Sequence, residues 1–120
     1  MANDFKRFTS ASLGTTSGAS ATAVYTVPSS GSAMESIVIG ITLANKTNAG
    51  ITADVFLDNY DGSNDVYVVK NATIPAGSSL EVMSGNKLVL QGDGTTNDAL
   101  RISASSAAAL DATVSVLEDV

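Results

Sequence analysis

The chain has 120 residues, with 6 Lys and Arg against 12 Asp and Glu, no Cys and no His, for a formal charge of −6. Without Cys there are no disulfides, thiolate nucleophiles or zinc–thiolate sites, and without His the commonest general base and transition-metal ligand are missing. The acidic balance argues against a nucleic-acid or anionic-membrane surface, both of which want a basic face.

This length suits one domain that buries roughly two-thirds of the surface its unfolded chain exposes. Val, Ile and Thr together supply 30 residues. These side chains fit a pleated, half-buried surface better than a helix. Charged residues make up only 15%, too few for many solvated helix faces. The composition predicts an all-β domain with neutral, hydroxyl-rich surfaces.

Residues 1–20 are rich in Ser, Thr and Gly, apart from the cluster Phe5, Lys6, Arg7 and Phe8. Two readings fit that cluster. It is a first edge strand whose aromatics cap the core, or an extended docking arm (residues 1–13) whose Phe and Arg anchor it on a neighbouring subunit. The cluster has no apolar stretch behind it, so no secretory signal is expected. The longest apolar run, Ile37–Ile41, is far too short to span a membrane.

From residue 21 to the end, period-2 alternation recurs with turn punctuation. Ala21, Ala23, Tyr25 and Val27 alternate with Thr22, Val24 and Thr26 up to Pro28-Ser29-Ser30-Gly31. Ile37, Ile39, Ile41 and Leu43 read as the strongest inward face. Ile51, Ala53, Val55 and Leu57 form the next. The loop 59–65 leads to a strand over Val66–Lys70. Ile74-Pro75-Ala76-Gly77 places Pro at position i+1 of a type I turn and Gly at i+3. Short strands Leu80–Met83 and Lys87–Gln91 flank a hairpin signal at Ser84-Gly85-Asn86. Strands over Ala99–Ala104 and Leu110–Leu117 follow, the last with Leu110, Ala112, Val114 and Val116 inward. Eight or nine short strands at this spacing predict an antiparallel β-sandwich over 21–120, jelly-roll or immunoglobulin-like in order.

Few constellations offer chemistry. Asp58, Asp61 and Asp65, with Asn59 and Asn64, place several oxygens in one loop, and Asp93, Asn97 and Asp98 do so in another. Calcium takes six to eight oxygens, but neither loop has EF-hand spacing. Asp-Gly and Asn-Asp pairs serve equally as turn formers, and turn chemistry is the expectation, with Asp58, Asp61 and Asp65 the alternative metal site. A glycosidase-type carboxylate pair has no aromatic cleft to serve, since Trp is absent and Tyr25, Tyr60 and Tyr67 are the only tyrosines. Those three are also the only stacking residues a sugar- or receptor-binding module would have. Neither a catalytic residue nor a cofactor is expected.

Several stretches have a further quality in common. Lys6-Arg7-Phe8-Thr9-Ser10, Val24-Tyr25-Thr26-Val27-Pro28, Ile39–Asn45, Ile74–Leu80 and Val114-Ser115-Val116-Leu117-Glu118 resemble corresponding segments of short all-β virion proteins of tailed bacteriophages. The resemblance spans nearly the whole chain in short pieces. It implies a non-catalytic particle component present in many copies: a head decoration or cement protein first, a neck, tail or fibre-attachment component second. It further implies partners among other virion proteins (the major capsid protein, or neck or tail proteins), assembly in the host cytoplasm, and a homo-oligomer with a trimer among the options. Phe5, Lys6, Arg7 and Phe8 are then the candidate interface, with no nucleic acid or membrane as partner.

Overall fold

The computed structural model describes residues 3–16, 18–28, 31, 34–60, 65–83 and 87–119. Among these residues nine strands follow one another: β1 (Asn3–Ser10), β2 (Thr22–Thr26), β3 (Met34–Asn45), β4 (Ile51–Asp58), β5 (Val66–Ile74), β6 (Ser79–Glu81), β7 (Leu88–Gly92), β8 (Ala99–Ala104) and β9 (Leu110–Asp119). A single 3₁₀ turn at Gly18–Ser20 is the one helical element among the described residues. No helix there is long and apolar enough to cross a membrane.

All pairings are antiparallel and form two sheets. One runs β1-β9-β3, with β6 and β7 sharing the far edge of β3; the other runs β2-β8-β4-β5. The pairs nest: β1 with β9, β2 with β8, β3 with β6 and β7, β4 with β5. A long hairpin rolled up so that its successive nested pairs alternate between sheets has this order. Of the two predicted orders, the strands therefore select the jelly roll.

The alternation in β9 holds as read: Leu110, Ala112, Val114 and Val116 are all buried. Flanked by β1 along eight residues and by β3 along ten, β9 is the central strand of its sheet. In β3 the expected face fails in its first half. Val38, Ile41 and Leu43 are fully buried, whereas Ile37 is half-buried and Ile39 is 41% exposed. A bulge between Val38 and Gly40 is the cause: one extra residue inverts the phase of everything before it. A second bulge between Ala23 and Tyr25 buries Val24, which the simple alternation places outward.

Turns are built by side chains as much as by backbone. The turn after Ile74 starts one residue later than predicted. Ser78 N donates to the Pro75 carbonyl at 3.1 Å, so Pro occupies position i and Gly77, at φ 66°, position i+2. That positive φ is what a type II turn requires there. Buried Asn45 donates from Nδ2 to the carbonyls of Ala49, Ile74 and Pro75, and accepts from Thr47 N and Oγ1. One amide thus holds both the β3–β4 and β5–β6 connections. At Gly92 a Cβ would run into the Asn97 side chain, which would have to shift to admit it. The predicted hairpin residues Ser84-Gly85-Asn86, and Ser29-Ser30, lie outside the described residues.

The bulge in β3 has a direct consequence for stability. Ile41→Ala is expected to cost about 2–5 kcal/mol and Ile39→Ala less than about 1 kcal/mol, a contrast that urea unfolding of the two variants measures.

Candidate functional site

The described acids of both loops have partners within the chain. Asp93 Oδ1 accepts from Thr95 N at 2.9 Å and Thr96 N at 2.7 Å, while Oδ2 takes the Thr96 hydroxyl. These bonds, Thr96 first, hold the Asp93 carboxyl below its ordinary range. Buried Asp98 accepts from Tyr60 N and Gln91 N and clamps the two loops together. Asp58 receives Arg101 Nε at 2.9 Å, and Asp65 receives Asn59 N at 2.8 Å. Asp61 lies outside the described residues. Among the described residues no group of three acidic side chains is placed to hold a metal.

The tyrosines do not form a platform. Tyr25 is buried, and Tyr60 is half-buried with its backbone tied to Asp98. The Tyr67 ring meets the edge of Phe56 at 5.0 Å, and the Lys70 ammonium sits 4.9 Å from its centroid. Lys70 is held there by Asp54 at 3.1 Å. A sugar ring would have to displace this cation to stack.

The predicted interface residues all fall on β1, and its pleat divides them. Lys6 and Phe8 share a face with their β9 partners Val116 and Val114, which point into the core; Phe5 and Arg7, opposite Leu117 and Ser115, point outward. Phe8 packs its ring 4.7 Å from that of Tyr25. Lys6 reaches inward to Glu118, Nζ to Oε1 at 3.0 Å. Phe5 is 77% exposed, and Arg7 is exposed with no ion-pair partner among the described residues.

Behind β1 lies a polar node that sequence reading misses. Glu118 is buried at 1% exposure between the sheets. Its Oε2 accepts the Tyr25 hydroxyl at 2.6 Å, and that hydroxyl also lies 2.7 Å from Ser36 Oγ. Lys6 neutralises the other oxygen. A buried carboxylate is tolerable only when its oxygens are partnered in this way. The node joins β1, β2, β3 and β9, hence both sheets, and it fixes β1 to the sandwich. Burial first, then the bond to Glu118, pushes the Tyr25 phenol well above its ordinary value. The Lys6 ammonium is likewise raised, by its hydrogen bond to Glu118.

Edges distinguish β1 from its counterparts. β5 carries two bulges against β4 and a left-handed Asn71 at φ 55°, with Asp54 accepting from Asn71 N at 2.7 Å. β2 is five residues long and bulged, while β6 and β7 are short. Bulges and short length blunt an edge against pairing. Only β1, among the described edges, runs eight residues in unbroken register.

No protein-family model matches the sequence, and no curated protein matches it. Among solved structures, the T13 viral particle of infectious bursal disease virus is similar at 13% identity and a TM-score of 0.49, over 97% of this chain and 30% of that one. The Gx strain of infectious bursal disease virus gives 10% identity and a TM-score of 0.42, over 97% of this chain and 41% of that one. The chain spans less than half the length of either.

Removing the hydroxyl in Tyr25→Phe leaves Glu118 one donor short and is expected to cost about 1–3 kcal/mol, read by denaturant unfolding. Because the folded phenol is raised above 10.0, its contribution is complete below that pH and is lost as pH rises beyond it. The stability difference between wild type and Tyr25→Phe should therefore shrink on the alkaline side; a constant difference up to alkaline unfolding would contradict the buried node.

Proposed function

We propose that the chain is a non-catalytic virion structural protein of a tailed phage, a head decoration or cement protein that docks in the particle through β1 and the adjoining sandwich edge. The observation that carries this reading is the unbroken β1 edge, with Phe5 and Arg7 facing out from a strand that the Glu118 node ties to the sandwich. A straight edge of this kind is a ready template for a neighbour. Aromatic and Arg side chains are common anchors of such contacts. The resemblance of residues 6–10, 24–28, 39–45, 74–80 and 114–118 to phage virion proteins supplies the particle, because the jelly roll by itself carries many functions.

Low charge density and hydroxyl-rich surfaces suit a part present in many copies, where affinity is summed over wet contacts. In this reading the chain takes no cofactor and performs no reaction, and it enters the particle in the host cytoplasm. A neck, tail or fibre-attachment position is the second reading within the same class.

The test is copurification with phage particles on density gradients, followed by antibody labelling in the electron microscope. The chain should band with particles in many copies, with label over the head; label at the neck or tail would select the second position, and absence from particles would overturn the proposal. Phe5→Ala with Arg7→Ala should lower occupancy at least about fivefold while leaving the unfolding temperature unchanged. Phe8→Ala is unsuited to this purpose, because Phe8 packs on Tyr25.

A further inference from the structure

The outward residues of β1 belong to a larger surface. Register places Phe5, Leu117, Ile37 and Val89 side by side on β1, β9, β3 and β7, all on the solvent side of the five-stranded sheet. The bulge adds Ile39 to the same face. Phe5 at 77%, Val89 at 53% and Ile39 at 41% are three of the five large hydrophobic side chains left exposed among the described residues. An apolar row across four strands, about 15 Å wide, is more than scattered surface hydrophobicity.

We propose that this face is a self-association surface whose occupant is a second copy of the chain. Charge complementarity selects that occupant. Lys6, Lys46, Lys70 and Arg101 each pair with a carboxylate of their own chain. Arg7 and Glu35, and with them Lys87, are exposed and have no such partner among the described residues. Arg7 and Glu35 flank the apolar row on opposite sides: Arg7 lies opposite Ser115, and Glu35 opposite Asp119, so Leu117 stands midway between them. They are about 10 Å apart across the strands and about 13 Å apart along them, too far to meet within one chain.

When two copies pack face to face, a twofold axis in the contact plane and perpendicular to that diagonal sets each Arg7 over the other copy's Glu35. The apolar rows then meet at Leu117. Such a contact is isologous and self-complementary, as a closed dimer requires. There is also room for it. The molecule measures 45 × 27 × 22 Å, and its broad side exceeds the roughly 800 Å² per partner of a standard interface.

This inference rests on Phe5 and Arg7 facing a neighbour, and not on the virion assignment. Sedimentation equilibrium of the purified chain, from low micromolar to submillimolar, is the test. Wild type should show a reversible dimer. Arg7→Glu should weaken it about tenfold or more by setting like charges together, and Glu35→Arg should do the same. The double variant Arg7→Glu, Glu35→Arg should recover to within a few-fold of wild type. Val89→Asp, three strands from β1, should abolish the dimer. Unfolding temperatures close to wild type control for folding, and Glu35→Ala replaces Glu35→Arg should that variant misfold, with a milder loss expected.

A monomer at every concentration, a dimer indifferent to Val89→Asp, or a double variant no better than the singles would each overturn the inference. A monomer that still bands with phage particles overturns the inference alone. A dimer missing from particles overturns the proposed function alone.

Discussion

A single buried carboxylate organises one side of this sandwich. Glu118 sits where β9 passes between β1 and β3, and it is reached by Tyr25 from the opposite sheet and by Lys6 from the edge. Hydrophobic burial holds the two sheets together but does not specify how they slide against each other. The short bond from the Tyr25 hydroxyl fixes that offset, because a slip of either sheet would leave a charged oxygen without a partner. Phe8 closes the node from outside by covering the Tyr25 ring. The N-terminal strand is therefore part of the sandwich and carries two kinds of residue: inward ones that hold it, and outward ones that are free for contact.

Much of the architecture was legible because strands announce themselves through period-2 patterning. β4 and β8 coincide with their predicted spans, and β9 has the predicted inward face. What escaped was any effect of one inserted residue. Ile37-Val38-Ile39-Gly40-Ile41 is apolar at every position but Gly40, so no alternation marks where the phase changes. The bulge follows from pairing with β9, which is remote in sequence. The edge bulges of β5 are equally invisible, since Lys70 reads as the end of a strand that in fact kinks at Asn71 and runs on to Ile74.

The candidate site was half legible. Phe5 to Phe8 stood out as a cluster, but the pleat that turns Lys6 and Phe8 inward depends on register with β9. Glu118 stands in phase with the inward residues Val114 and Val116, a signal that its charge masks. An acid near the end of a strand reads as a solvent-facing residue, and only the topology shows Tyr25 waiting above it. The loop acids read as turn formers, and the bonds of Asp93 are of that kind, whereas Asp98 reaches across to Tyr60 in the other loop.

The nested pairing also governs how the chain comes to be folded. β1 bonds to β9, so β1 must wait about a hundred residues for this sheet partner. Closing so long a loop is entropically late, and folds dominated by such contacts form in milliseconds to seconds. Until then Phe5 and Phe8 are both open to solvent, and both edges of β1 are unpaired. The same strand that offers a finished subunit its point of contact is, during synthesis, the segment most in need of protection from premature pairing.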